Sequence, residues 1–180
     1  MRKFFLALFV VLSVVLFSAV GISQARNCPL SDIGAYRFFE DMGYIVPCER
    51  YQKLPNGNLL FTTRLPKEPL VISGNLANVY VIVEPVGGKL FEVNLFFNAN
   101  ASNNAIGNVV ATAMRTIESE NAWQADRNEF VNCLSEILNS PLREAQVAYP
   151  SNLMGRYYFL AKNFEANGRV LKIAIAAGVN

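Results

Sequence analysis

The residues that could carry out catalysis in this sequence are almost all carboxylates, because the 180-residue chain contains no histidine. A serine or cysteine nucleophile commonly depends on a histidine base, and catalytic zinc sites commonly include histidine ligands. The chain has three cysteines, of which two are expected to pair, so a cysteine-only metal site is also excluded. The sequence therefore predicts no metal, no cofactor and none of the familiar hydrolase mechanisms that use histidine.

Two carboxylates that flank a glycosidic bond at a separation of about 5 to 10 Å can hydrolyse it. Four pairs of acidic residues are candidates, but each also has a structural interpretation as a solvent-exposed helix end, a helix cap or a hairpin flank. These pairs are Glu40 with Asp41, Glu118 with Glu120, Asp126 with Glu129, and Glu84 with Glu92. We therefore expect a protein that is not an enzyme, and we keep a carboxylate-dependent, glycosidase-like hydrolase as the alternative.

The three cysteines have different predicted roles. Residues 31–42 have the pattern of a helix, which advances about 18 Å, and the extended residues that follow return about 16 Å. The two ends of this unit, Cys28 and Cys48, therefore come within reach of a disulfide bond. Cys133 lies on the apolar face of another predicted helix, which indicates a buried free thiol rather than a nucleophile.

The N-terminus has the pattern of an export signal. Arg2 and Lys3 precede an apolar run over residues 4–22, and Ser23 and Ala25 have the small-residue spacing of a cleavage site. We expect cleavage after Ala25 and a periplasmic or secreted protein, in which disulfide bonds persist. An uncleaved membrane anchor is the alternative, because the apolar run is long for a signal peptide.

Cleavage would leave residues 26–180 as a single domain, long enough to bury a core of its own. It would remove Arg2 and Lys3 but no acidic residue, so 14 basic and 14 acidic side chains would remain. This balanced charge argues against a nucleic-acid partner, and after cleavage nothing predicts attachment to a membrane. Asn100 begins an Asn-Ala-Ser triplet, the acceptor pattern for N-glycosylation in hosts that glycosylate.

The elements that must position these residues follow from the periodicity of apolar side chains. Helices are predicted over residues 31–42, 104–118 and 126–139. Strands are predicted over residues 50–54, 58–65, 79–84, 89–97, 156–165 and 169–177. Asn167 and Gly168 are typical of a tight two-residue turn between the last two strands. This order predicts an α+β fold, with one mainly antiparallel sheet of about five to seven strands and about three helices packed on it.

Several predicted strands are apolar on both faces, which bears on function. Strict alternation would leave one polar face, but residues 79–83, 95–97 and 157–160 are apolar throughout. Helices could cover both faces, or one face could bind a protein partner, a second copy of the chain or a small apolar ligand. We expect a small exported binding domain, with a membrane-tethered accessory protein as a further alternative. The candidate contact residues are Tyr80, Phe96, Tyr157 and Tyr158.

Overall fold

The computed structural model describes residues 28–42, 50–55, 57, 59–64, 76–83, 88–152 and 154–179. Its helices are α1 (Ala35–Asp41), α2 (Asn103–Ile117) and α3 (Glu120–Asn139). Its strands are β1 (Arg50–Lys53), β2 (Leu59–Arg64), β3 (Leu76–Val83), β4 (Leu90–Asn98), β5 (Glu144–Pro150), β6 (Tyr157–Glu165) and β7 (Val170–Gly178).

The predicted signal peptide, residues 1–25, lies outside the described residues. Within the described ranges, no helix combines the length and the apolar content that crossing a membrane requires. Asn100, the predicted glycosylation acceptor, is exposed in the turn that follows β4.

The strands form one antiparallel sheet in the order β1-β2-β3-β4-β7-β6-β5. The chain leaves the sheet after β4, forms α2 and α3, and re-enters at the far edge as β5. Two successive antiparallel connections then bring it back through β6 to β7, which pairs with β4. The predicted α+β class is confirmed, and the long helical connection explains why sequential strands β4 and β5 lie apart.

One face of the sheet, which we call the core face, carries the hydrophobic core. Leu95 pairs with Ile173 and Val93 with Ile175, and all four side chains are fully buried. Residues that pair across antiparallel strands point to the same face. The buried side chains of all three described helices, including Phe38, Val110 and Phe130, join these strand residues in one cluster. The described helices therefore pack on the core face.

Helix α2 forms where the sequence predicted it. The hydroxyl of Ser102 accepts a hydrogen bond of 3.2 Å from the N–H of Ala105 and caps the N-terminus. The apolar residues recur every three or four positions, so one side of the helix faces the sheet. The buried members of this stripe are Ile106, Val109, Val110, Ala113, Met114 and Ile117.

Helix α3 begins earlier than the sequence analysis predicted. The expected start was Asp126, but the helix starts at Glu120, after Ser119, whose hydroxyl accepts a 3.3 Å hydrogen bond from the N–H of Ala122. Ser119 is a favourable cap and Glu120 places negative charge in the first turn, which suits the helix dipole. Trp123, which lies between the predicted helices over residues 104–118 and 126–139, is therefore a buried residue of α3.

Helix α1 is shorter than the predicted residues 31–42, and Ser31 lies outside it. Ser31 instead forms an antiparallel bridge with Leu90 at the start of β4, and its hydroxyl donates a 2.9 Å hydrogen bond to the carbonyl of Ile117. The segment before α1 is therefore fastened both to the sheet and to the end of α2.

Strand β5 was not predicted from the sequence. Its side chains alternate, with Ala145, Val147 and Tyr149 turned towards the core and Glu144 and Gln146 exposed. This period of two was the available signal. Alanine, glutamine and glutamate favour strands only weakly, however, and β5 forms because it pairs with β6.

The connection between β6 and β7 is longer than the predicted two-residue turn. Ala166, Asn167 and Gly168 all have positive φ and form a short 3-10 turn between the paired residues Glu165 and Val170. Asparagine and glycine tolerate this backbone conformation, as expected from the sequence.

Candidate functional site

The face of the sheet opposite the core face, which we call the second face, carries two of the four aromatic residues singled out in the sequence, Phe96 and Tyr157. Three rows of paired residues cross strands β6, β7 and β4 on this face. They are Phe159, Ala176 and Glu92 in the first row, Ala161, Ala174 and Asn94 in the second, and Asn163, Lys172 and Phe96 in the third. Tyr157, paired with Gly178, stands beyond the first row.

The structure separates the four predicted contact residues. Phe96 and Tyr157 lie on the second face and are partly exposed. Tyr80 pairs with Asn94 in the sheet register, and its side chain lies outside the described structure. Tyr158 is 1% exposed and belongs to the core, because successive strand residues alternate between faces. Phe159, which the sequence analysis did not single out, takes its place on the second face.

The second face has a shallow centre between aromatic side chains. Phe159 on β6 pairs with Ala176 of β7, and Phe96 on β4 pairs with Lys172 of β7, so the two rings lie on opposite sides of β7 and four residues apart along it, with Ala174 between them. Two strand spacings separate β6 from β4, which is roughly 10 Å. At one end of this channel, the ammonium of Lys172 lies 5.9 Å from the centre of the Phe96 ring.

Polar side chains form part of the floor of this channel. The side-chain amide of Asn94 donates a 2.9 Å hydrogen bond to Glu92, and the two residues are 5% and 4% exposed. The Asn94 Oδ1 atom has no hydrogen-bond partner within the described part of the chain. A buried acceptor without a partner costs about 1 to 3 kcal/mol, so a donor that reached this oxygen would be favoured.

A second group of polar residues is buried where α2 ends. Glu118, the residue after α2, is only 7% exposed, although the sequence analysis placed it in solvent. Desolvation by burial and the charge of Asp126 raise the pKa of Glu118 to about 7, against the lowering effects of Tyr158 and Arg156. The Tyr158 hydroxyl interacts with the carboxylate, but neither Glu118 oxygen has a well-formed hydrogen bond among the described residues. Burial and Glu118 also raise the pKa of Tyr149 and of Tyr158.

Asp126 and Arg156, which flank this group, have structural contacts of their own. The fully buried carboxylate of Asp126 accepts hydrogen bonds from the Ser151 hydroxyl at 2.6 Å and from the backbone and side-chain nitrogens of Asn152 at 2.8 and 2.7 Å. The guanidinium of Arg156 donates to the carbonyls of Pro29 and Leu30 at 2.6 and 3.2 Å. Both residues therefore fasten chain segments to the body of the domain.

The structure describes both members of three of the four carboxylate pairs suggested by the sequence. Glu118 is buried whereas Glu120 is exposed and bound to Arg115, and Asp126 is buried whereas Glu129 is exposed. Glu40 and Asp41 are exposed and paired with Arg37, Glu84 lies outside the described residues, and Glu92 lies on the second face.

The cysteines are partly as predicted. Cys133 is a buried free thiol, as expected, and burial together with Glu129 and Glu136 raises its pKa. Cys28 also has a free thiol, whose pKa burial raises and Arg156 lowers. Cys48 lies outside the described residues, so the Cys28–Cys48 disulfide is not shown and stays a prediction.

Among the described residues, no three His, Cys, Asp or Glu side chains are grouped closely enough to hold a metal ion. Comparisons with protein-family models, with curated proteins and with solved structures found no match for the chain. The functional conclusion therefore depends on the geometry of the second face and of the buried clusters.

Proposed function

We propose that this chain is an exported, non-catalytic domain that binds a partner protein through the second face of its sheet. The observation that carries the proposal is the unequal covering of the sheet. All three described helices pack on the core face, whereas Tyr157 and Phe159 remain partly exposed on the other face. Aromatic side chains grouped on a sheet face that the protein's own described helices leave uncovered are typical of an interaction surface.

The proposed occupant is an amphipathic helix of another protein, lying with its apolar side in the channel between Phe159 and Phe96. Strands β6 and β4 lie roughly 10 Å apart, which is about the width of an α-helix. The Phe159 and Phe96 rows are four residues apart along β7, roughly 13 Å, so the helix would cross the strands diagonally between the two rings. Ala161, Ala174 and Ala176 lie between or beside them and project little, so a helix could approach the sheet closely. A helix here would supply on the second face the layer that α1 to α3 supply on the core face.

One polar residue of the channel suggests what the helix would carry besides apolar side chains. Lys172, at the Phe96 end, favours a partner carboxylate, although it also lies 3.7 Å from Glu165. This contact would set the register of the helix, and the aromatic residues would supply most of the buried apolar area.

Site-specific photo-crosslinking in the exporting cell tests this proposal. A photoreactive phenylalanine analogue replaces Phe159 on the second face, and in a matched control it replaces Val131, which is 50% exposed on α3. We expect the analogue at position 159, and not the one at position 131, to form an adduct with a different protein. The crosslinked peptide of that protein should be helical and apolar on one side. That segment, made synthetically, should bind the purified protein, and Ala174→Lys should weaken binding at least about tenfold, whereas Val131→Lys should not.

Three results would overturn the proposal. An adduct between two copies of the chain would show a homodimer on this face, and an adduct within one chain would show that the protein covers the face itself. If Ala174→Lys leaves the binding of the synthetic segment unchanged, the partner binds elsewhere on the protein.

The hydrolase alternative has one observation in its favour, which is the pKa of about 7 for Glu118. A general acid often has a pKa raised in this way by burial. A glycosidase needs a second functional carboxylate, however, and the neighbouring carboxylate of Asp126 already accepts three hydrogen bonds. The binding function is therefore better supported.

A further inference from the structure

A small cavity lies at the end of the domain where α2 begins and α3 ends. Its volume is about 240 Å³, well above the roughly 10 to 15 Å³ that holds one water molecule. It is bordered by the last residues of β6, by β7 and by the segment between α3 and β5. The polar and charged residues of its lining are Asn103, Ser140, Arg143 and Lys162, and none of the lining residues is acidic.

Lys162 is a buried, positively charged residue of the cavity lining. It lies on the core face of β6, opposite Ile173 of β7, and is only 4% exposed. Its ammonium donates a 2.8 Å hydrogen bond to the carbonyl of Ser140, and within the described chain no carboxylate forms an ion pair with it. An ammonium has three N–H donors. Two of them therefore remain for a further acceptor, and desolvation by burial lowers the pKa of Lys162 in the absence of one.

A second cation and a helix end add positive potential at the same place. Arg143, exposed at the mouth of the cavity, also has no carboxylate partner among the described residues. Its guanidinium passes close to Gly168, where a Cβ atom would lie 3.1 Å from Nη2. Asn103, the first residue of the 15-residue helix α2, brings the positive end of a helix dipole to the lining.

The carbonyl of Ser140 offsets only part of this positive charge. Ser140 follows α3, whose C-terminal end is partly negative, and its carbonyl accepts one hydrogen bond from Lys162. A buried charge is normally paired or hydrogen-bonded on all sides. The lining therefore lacks an anion, and the cavity has room for one.

We propose that this cavity binds a small oxyanion, a phosphate or carboxylate group, held by the Lys162 ammonium and the Arg143 guanidinium. Arginine presents a planar fork that suits both groups, and lysine supplies a compact charge at the closed end. This site is separate from the second face, because Lys162 lies on the core face, so it does not depend on the proposed partner helix.

Binding of inorganic phosphate and of acetate to the full protein, measured by calorimetry and by the shift in melting temperature, tests the site. Sodium chloride at the same ionic strength is the reference, because surface charges respond to salt in general. We expect at least one of the two anions to bind and to raise the melting temperature beyond the chloride reference. Binding of phosphate but not of acetate would identify a phosphate site, and binding of both anions would identify a general oxyanion site.

Two variants and one matched control decide whether the named residues hold the anion. Lys162→Met should weaken binding at least about tenfold, and Arg143→Gln should weaken it several-fold. Lys53→Met, which removes an exposed lysine from β1, should leave anion binding unchanged. If Lys162→Met does not fold, Arg143→Gln at an exposed position still tests the site. The proposal is overturned if neither anion binds, in which case Lys162 serves only to bond the Ser140 carbonyl. It is also overturned if Arg143→Gln binds the anion as tightly as the wild type does.

Discussion

Asp126, in the middle of helix α3, accepts a 2.6 Å hydrogen bond from the hydroxyl of Ser151, just beyond the edge strand β5. The bond joins residues 25 positions apart and is fully buried. It fastens the longest described helix to the strand that closes the sheet on that side, next to Glu118 and its tyrosines.

Replacing Asp126 should therefore destabilise the domain strongly. Asp126→Ala would leave the buried Ser151 hydroxyl and the partly buried N–H groups of Asn152 without their acceptor, and we expect a loss of about 3 kcal/mol in the free energy of unfolding. Urea denaturation of the wild type and the variant measures this loss. Glu129→Ala, at an exposed position of the same helix, is the control and should change the free energy by less than about 0.5 kcal/mol. Equal effects of the two substitutions would show that the Asp126 contacts contribute nothing.

The stability of the domain should fall as the pH rises towards neutrality. The pKa of Glu118 is raised from 4.5 to about 7 in the folded protein, so the folded state binds the proton more tightly than the unfolded state. Its contribution is fully present below about pH 4.5 and is lost as the pH rises through about 7. One pKa unit corresponds to about 1.4 kcal/mol, so the loss would reach up to about 3 kcal/mol, and less where water screens the charge.

Urea denaturation near pH 5 and near pH 8 measures this dependence. Glu118→Gln should be less sensitive to pH than the wild type over this interval, because its side chain stays neutral. Glu120→Gln, at the neighbouring exposed position, should keep the dependence of the wild type. This account would be contradicted if the free energy of unfolding of the wild type rose between pH 5 and pH 8 and that of Glu118→Gln rose by the same amount.

Thiol labelling tests the three cysteines together. In the exported protein we expect Cys28 and Cys48 to resist alkylation until a reductant is added. We expect Cys133 to react only after unfolding, because it is buried and its pKa is raised. Mass spectrometry of the labelled peptides identifies each site. Three thiols that react without reduction in the unfolded protein would disprove the Cys28–Cys48 pairing.

The mass of the protein recovered from expressing cells tests the predicted processing. We predict cleavage after Ala25, because Ser23 and Ala25 match the small-residue pattern of a signal cleavage site, and the chain would then begin at Arg26. Intact-mass measurement distinguishes this form from the uncleaved chain. Recovery of the uncleaved chain in the membrane fraction would favour the membrane-tethered alternative.

Local periodicity was enough to predict the elements that are regular along the sequence. The apolar stripe of α2 and the β-branched and aromatic runs of β4, β6 and β7 appear in the structure close to their predicted positions. These patterns depend on neighbours a few residues apart, and they also led correctly to an α+β fold. Where the local signal was weak, as in β5, or ambiguous, as at Ser119 and Asp126, the prediction failed.

The sequence by itself therefore determined the α+β fold class and the absence of histidine from the chain. Only the tertiary structure decided which residues are buried together: that Tyr158 belongs to the core, that Glu118 is buried beside Asp126, and that Lys162 lines a cavity with Arg143. The physical reason is that burial and pairing depend on strand register and on contacts between distant segments. Asp126 and Ser151, or Ser31 and Ile117, meet only after the chain has folded.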